Sequence, residues 1–131
     1  MVIFDSSIII DVLRKKKTAM DLIQAYAEKE HIAITVIGKY EILRGTTEKD
    51  VNLVSELLSQ FVLYDFGDTM IRDAVIAHKK LTAKGIMVNE LDVLIAGIAA
   101  AKNEELITKD RDFFKFESPK ITVLWASCPE L

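Results

Sequence analysis

The sequence contains a single cysteine, Cys128, among its 131 residues, so an internal disulfide cannot form. We therefore expect a reducing compartment, the cytoplasm, and assign Cys128 no catalytic role because nothing near it would activate a thiolate. No apolar run approaches the length needed to span a membrane. The N-terminal Met-Val-Ile-Phe-Asp lacks a basic leader, so no signal peptide is expected.

The chain also lacks an excess of positive charge. Twenty acidic residues against 17 basic ones give a net charge of −3, which argues weakly against a protein that binds nucleic acid by bulk charge alone. The basic residues are nonetheless grouped, as Arg14-Lys15-Lys16-Lys17, as Lys79, Lys80 and Lys84, and as Lys109, Arg111, Lys115 and Lys120. Each group is by default a solvated surface, but a basic rim around an acidic centre would suit a phosphate-bearing polymer.

Prolines are equally scarce. The two present lie near the end of the sequence, and no linker, repeat or low-complexity segment divides it. Half of the residues are hydrophobic and 28% are charged, which is the composition of an ordinary globular protein with a sizeable core. We therefore expect one domain over residues 1–131.

Short apolar runs alternate with segments of helical periodicity. The runs predict strands at 2–4, 32–34, 61–64, 106–108 and 121–125, although 61–64 could be the tail of a helix. The other segments predict helices at 8–13, from 18, at 35–44, from 47, from 68 or 69 to 85, and at 90–102. In the helix before Gly85, the predicted core face includes Ile71, Ala74, Val75 and Leu81. Strands that are apolar on both faces are typical of a covered parallel sheet. The predicted fold is therefore α/β, with a short parallel β-sheet of four to five strands flanked by helices on both faces.

The stretch from Leu91 to Ala101 holds one charged side chain, Asp92, in an otherwise apolar run. Its apolar residues recur at helical spacing and extend around the cylinder, which predicts a mostly buried helix. A buried carboxylate is unfavourable unless a positive or hydrogen-bonding group meets it. Asn89 is a good N-cap and Asp92 lies where a capping box places its acid, so capping and a functional role are both open for Asp92.

Three further acids come from separate segments. Asp5 directly follows the first predicted strand, Asp110 lies just past the fourth, and Glu41 is in the second turn of the helix after the second strand. Chemistry in an open parallel sheet gathers at the carboxyl ends of the strands, so these acids and Asp92 could share one edge. Each also has an ordinary interpretation. Asp5 could be a turn acid and Glu41 a surface charge, while Asp110 or Asp112 could simply open a turn.

Carboxylates that share a small volume repel one another. Two of them about 4 Å apart repel by about 4 kcal/mol at an effective dielectric of roughly 20, so three or four need protons or cations. An all-oxygen acidic pocket suits a hard ion, Mg²⁺ or Mn²⁺, better than zinc. Such an ion can orient a water and offset charge on a phosphodiester. His31 and His78 lie outside this acidic set and are expected to be structural or surface residues.

Four segments resemble the acidic motifs of PIN domains, in the same order and across nearly the whole chain. The strand closing in Asp5-Ser6-Ser7, followed by Ile8-Ile9-Ile10, is similar to their opening. Tyr40-Glu41-Ile42-Leu43-Arg44-Gly45 resembles the second motif. Asp92-Val93-Leu94-Ile95-Ala96 resembles the third, and Leu106-Ile107-Thr108-Lys109-Asp110-Arg111-Asp112-Phe113 resembles the fourth. The size of the chain is similar to that of the VapC-like toxins of bacterial and archaeal toxin–antitoxin pairs.

This resemblance implies a Mg²⁺- or Mn²⁺-dependent endoribonuclease, typically a homodimer that a cognate VapB-like antitoxin holds inactive. By position, it makes the catalytic and metal-binding acids Asp5, Glu41, Asp92 and Asp110. Ser6 would support the first acid, and Thr108 matches the hydroxyl residue of the last motif. Asp112 is an alternative to Asp110 for the fourth position, and Asp110 is preferred because it is nearer to the strand end.

Other classes of function are also open. A PIN-like domain could be non-catalytic and bind only RNA or protein. A receiver-type phosphorylation module has a similar size and an acidic pocket, but it would need adjacent acids after the first strand, where Asp5 is followed by serines. A phosphatase with a nucleophilic aspartate would need a second acid two residues after the first, and Ser7 holds that position.

Overall fold

The structure, a computed structural model, describes residues 1–116 and 121–123. The expectations for Lys120 and Cys128, and the end of the fifth predicted strand at Trp125, lie outside these residues. No helix in the described part of the chain combines the length and apolar character needed to cross a lipid bilayer.

In the part of the chain that the structure describes, five parallel strands form one sheet. They are β1 (Val2–Phe4), β2 (Ile32–Thr35), β3 (Val62–Tyr64), β4 (Glu105–Thr108) and β5 (Ile121–Val123). Their spatial order is β3-β2-β1-β4-β5, and every neighbouring pair is parallel. β1 is central, pairing Val2 with Ile32 of β2 on one side and with Glu105 of β4 on the other. The predicted α/β fold with a parallel sheet is confirmed, and residues 62–64 are a strand.

Six α-helices connect the strands within the described residues. They are α1 (Ser6–Leu13), α2 (Lys17–Ala27), α3 (Val36–Arg44), α4 (Val51–Leu58), α5 (Asp68–Ala83) and α6 (Glu90–Lys102). A short 3₁₀ helix, Arg111–Lys115, follows β4. Successive side chains of a strand point to opposite faces of the sheet, and helices pack against both faces. Ile3 and Leu106 pack with α5 and α6, whereas Phe4 and Ile107 pack with α1, α2 and α3.

The core face of α5 differs from the prediction. Ala74 and Leu81 are buried as expected, but Ile71 and Val75 are 47% and 44% exposed, so the prediction was wrong for these two residues. Met70 takes the place expected for Ile71. The reason is that α5 carries two adjacent apolar stripes, and only the stripe facing α6 is covered. The periodicity of the helix alone does not distinguish the two stripes.

Close packing between α5 and α6 sets the position of the buried helix. A β-carbon built on Gly97 would lie 2.8 Å from the β-carbon of Ala74 and 3.1 Å from its backbone nitrogen. Only glycine therefore fits where the two helices cross. The bounds of α6 agree with the predicted 90–102, since the Asn89 side chain accepts from the backbone of Leu91 at its start and Asn103 adopts a left-handed conformation at its end.

We predict that Gly97→Ala lowers the free energy of unfolding by about 1–3 kcal/mol, because the added methyl group must push α5 and α6 apart. Urea denaturation measures the change. Gly45→Ala is the matched control, since its β-carbon would make only ordinary contacts at 3.7 Å and its φ is −84°. Equal stability of the two variants would contradict the close packing described here.

Candidate metal centre

Asp5 lies at the carboxyl end of the central strand, where it is also the N-cap residue of α1. Its backbone nitrogen donates to Ile107 of β4 at 2.9 Å, which extends the pairing of the two strands to their ends. The carboxylate is only 5% exposed and accepts hydrogen bonds from Ser7 Oγ at 2.9 Å and Thr108 Oγ1 at 2.8 Å. Burial raises the pKa of Asp5, and the two hydroxyl donors offset part of that rise.

The loop after β4 is fixed by the same hydroxyl groups. Thr108 Oγ1 also accepts from the backbone nitrogen of Asp110 at 3.0 Å, and Ser7 Oγ accepts from the backbone nitrogen of Lys109 at 3.0 Å. Asp110 then caps the 3₁₀ helix by accepting from the nitrogen of Asp112 at 2.9 Å. Asp110 thus does open a turn, and this turn holds it and Asp112 beside the end of β4.

Three carboxylates meet at this point. Oxygens of Asp92, Asp110 and Asp112 all lie within 4.8 Å of one another. Asp92 is buried, Asp110 is half-buried and Asp112 is exposed. Asn89 caps α6 with its own side chain, while the carboxylate of Asp92 lies with the other two acids. Both candidates for the fourth position, Asp110 and Asp112, belong to this group.

The pKa of Asp92 is shifted by its burial and by three other acids. Burial raises the pKa of Asp92 to about 7, and the negative charges of Asp110, Asp5 and Glu41 add to the rise, while the Lys115 ammonium opposes it. The four acids singled out in the sequence are therefore close enough to interact. A cluster that keeps a carboxyl protonated near neutral pH gains from a bound cation.

Glu41 approaches the cluster from α3. Thr35 caps this helix by accepting from the backbone of Gly38 at 2.9 Å, and Glu41 follows one turn later. The half-buried Glu41 accepts from Ser6 Oγ at 3.1 Å. Burial raises its pKa, as does the charge of Asp5, and the Ser6 hydroxyl and Arg44 oppose that change. The Ser6 hydroxyl thus contacts the second acid, while the Ser6 backbone bonds to the carboxyl of the first acid, Asp5.

The donor set fits a hard divalent cation. The carboxylates of the cluster offer only oxygen ligands, which suits Mg²⁺ or Mn²⁺. Asp92, Asp110 and Asp112 could hold one ion directly, with Asp5 and Glu41 adjoining them.

Two supporting interactions were not predicted from the sequence. Ser7 was given no role in the site from the sequence, yet its hydroxyl joins Asp5 to the loop after β4. Asp11 is 6% exposed and pairs with Lys109 Nζ and, at 3.3 Å, with Lys16 Nζ. Burial alone would raise the pKa of Asp11, but the two ammonium groups outweigh it and lower that pKa. The one signal for Ser7 in the sequence was its place in the Asp5-Ser6-Ser7 motif beside the first acid. No feature of the sequence indicated that Asp11 pairs with Lys109.

Comparison with protein families gives one match over most of the chain. The model of the PIN domain family matches residues 2–118. No curated protein matches the sequence significantly.

Solved structures share this fold at low sequence identity. A chain of VapBC2 from Rickettsia felis, bound to a DNA fragment of its promoter, has a TM-score of 0.84 and 21% identity, covering 94% of this chain and 98% of that one. DNA-bound VapBC from Salmonella typhimurium gives a TM-score of 0.80 and 19% identity with the same coverage. VapBC-5 from Mycobacterium tuberculosis gives 0.68 and 21%, covering 95% and 98%.

The raised pKa of Asp92 predicts how the stability of the metal-free protein depends on pH. Folded Asp92 keeps its proton up to a pKa of about 7, whereas the unfolded chain releases it near 3.8. Between these values the folded state binds more protons, so the free energy of unfolding falls as the pH rises. Urea denaturation across this range, with a chelator present, measures the slope.

Asp92→Asn should weaken this dependence and stabilise the metal-free protein at neutral pH. Glu56→Gln, which removes an exposed acid on α4, is the control and should keep the wild-type slope. Parallel pH profiles for all three proteins would contradict the proton held at Asp92.

Thr108→Val should lower the free energy of unfolding by about 1–3 kcal/mol, because it leaves the Asp110 amide and the Asp5 carboxylate without their shared hydroxyl partner. Thr82→Val is the comparison, since Thr82 is exposed and its loss should cost less than about 0.5 kcal/mol. Thermal or urea unfolding tests both variants. A Thr108→Val protein as stable as the Thr82→Val protein would show that the hydroxyl network is unimportant.

Proposed function

The chain belongs to the PIN domain family, and from this premise we propose that it is a Mg²⁺- or Mn²⁺-dependent endoribonuclease. The observation that carries the proposal is the meeting of Asp92, Asp110 and Asp112 within 4.8 Å at the carboxyl end of the sheet. The raised pKa of Asp92 supports it, since such a cluster favours a bound cation at neutral pH.

When bound, a divalent ion supplies positive charge beside the phosphodiester and makes a water more acidic. Asp92, Asp110 and Asp112 are the residues that would hold it. Asp5 is kept in one orientation by Ser7 and Thr108, so its carboxylate needs no reorganisation when the substrate arrives.

Glu41 has a different role in this proposal. Its pKa is raised while Ser6 holds one carboxylate oxygen, so it can accept a proton at the edge of the cluster or offer a further ligand oxygen. Substituting Glu41, Asp110 and Asp112 one at a time should therefore distinguish the role of each residue in the site.

We further propose that the protein is the toxin of a VapBC-type pair, controlled by a VapB-like antitoxin and assembled as a homodimer. The support is the fold that it shares with chains of VapBC structures. Co-expression with the product of a small neighbouring reading frame should yield a stable complex in which RNA cleavage is suppressed. Cleavage at an unchanged rate in such a complex would contradict the regulatory role.

The purified protein should cut single-stranded or structured RNA only when Mg²⁺ or Mn²⁺ is present. Asp5→Asn and Asp92→Asn should each reduce the rate by roughly 100-fold or more, since loss of one charged group from the site removes several kcal/mol of transition-state stabilisation. A gel assay with end-labelled RNA measures the rates, and calorimetry measures ion binding.

Glu56→Gln serves as the control for purification and for net charge, and it should cut like the wild type. Equal cutting by Asp92→Asn would point to a contaminating nuclease and remove the assignment. Absence of both cleavage and divalent-ion binding at neutral pH would favour the non-catalytic alternative, a PIN-like domain that binds RNA or protein.

A further inference from the structure

A groove of about 160 Å³ lies along α5, on the side away from its exposed apolar stripe. Its α5 wall runs from Asp73 to Lys84, a distance of about 16 Å at the rise of an α-helix. The opposite wall is formed by Lys115, which ends the 3₁₀ helix that carries Asp112, and by Phe116, which follows that helix. The groove and the candidate metal centre therefore share a structural element.

The groove is apolar at its base and basic at one end. Leu81 and Phe116 are both buried and line its floor. The lysines that line it are Lys80, Lys84 and Lys115, against a single acid, Asp73, at the far end of the α5 wall. An apolar floor beneath a positively charged rim is suited to a ligand with flat or sugar-like parts and negative charges at its edge.

The basic end is the end that adjoins the acids. Lys115 Nζ donates to the backbone carbonyl of Met87 at 3.1 Å, in the loop that leads from α5 into the helix of Asp92. The 3₁₀ helix that Lys115 ends also carries Asp112, which has a carboxylate oxygen within 4.8 Å of oxygens of Asp92 and Asp110. Positive charge thus lies directly beside the carboxylate cluster, where a polyanion would need it.

We propose that this groove is a subsite for the sugar–phosphate backbone of an RNA strand, next to the phosphodiester at the carboxylate cluster. The inference rests on the proposed ribonuclease function and adds the path of the substrate. Lys80 and Lys115 contact phosphates from the rim, and the floor formed by Leu81 and Phe116 accepts a ribose or a base.

Lys80→Gln and Lys79→Gln form a matched pair for testing this path. Both residues are exposed lysines on α5 and both substitutions remove one charge, but only Lys80 lines the groove. Lys79 is turned away by about 100° around the helix axis. Neither residue belongs to the carboxylate cluster, so metal binding should be unchanged in both variants.

Fluorescence anisotropy with a labelled, non-cleavable analogue of single-stranded RNA, at a fixed Mg²⁺ concentration, measures affinity at several salt concentrations. Lys80→Gln should weaken binding several-fold and reduce the slope of log K against log salt by ~0.7, the value for one lost phosphate contact on a single strand. Lys79→Gln should change neither. With Mn²⁺, Lys80→Gln should raise KM while kcat stays near the wild-type value.

Equal losses in the two variants would show that only overall charge matters and would overturn the subsite. Unchanged RNA affinity in both variants, or no RNA binding by the wild type, would also overturn the proposed subsite and would favour a protein segment as the occupant of the groove. These outcomes are distinct from failure of the ribonuclease proposal, which is decided by whether Asp92→Asn abolishes metal-dependent cutting.

Discussion

Mutual repulsion among buried carboxylates is the constraint around which this molecule is built. Asp92 stands at the start of a helix that is apolar on nearly every side, and three other acids act on it from separate segments. Burial, and after it these like charges, raise the pKa of Asp92 to about 7, so a proton compensates where no cation is bound. The carboxylate cluster lowers the stability of the metal-free protein at this point, as is common at sites that bind charged ligands.

The parallel sheet makes such a cluster possible. Its strands all end at one edge, so that residues distant in sequence, such as Asp5 and Asp110, follow neighbouring strands. The hydroxyl of Thr108 then joins the two by contacting the carboxylate of one and the backbone of the other. A single buried side chain thereby fixes the relative position of two acids that would otherwise move apart. Backbone and hydroxyl contacts hold Asp5 and Asp110 in place, while the charges of Lys115 and Arg44 oppose part of the repulsion at Asp92 and Glu41.

The sequence was informative where one local rule dominated. The start and end of α6 followed from the N-cap type of Asn89 and the length of the apolar run, and the shared sheet edge of Asp5 and Asp110 followed from their positions just after predicted strands. The sequence did not predict which of two neighbouring residues is buried or bonded where this depends on a distant segment of the chain. The exposed Ile71 and the buried Met70 are neighbours on α5, and only the position of α6 decides which one is covered. Likewise, the preference for Asp110 over Asp112 rested only on its nearness to the strand end, whereas the turn between them brings both to Asp92. Ser7 was overlooked since its hydrogen bonds reach a loop 102 residues away.

A net charge of −3 disfavours the binding of a polyanion such as RNA, but the distribution of charge over the protein favours it. The acids of the cluster are concentrated in a volume that one divalent ion can occupy, and the ion would offset much of their negative charge where the substrate must approach. The lysines of the groove line its wall rather than the carboxylate cluster, and Lys115 donates to the backbone carbonyl of Met87. Were they inside the cluster, they would compete with the ion for the carboxylates. Lys109 illustrates the same separation, because Asp11 binds its ammonium group and so holds its charge on α1. Keeping the fixed positive charges beside the acids, rather than among them, leaves the cluster dependent on a divalent cation.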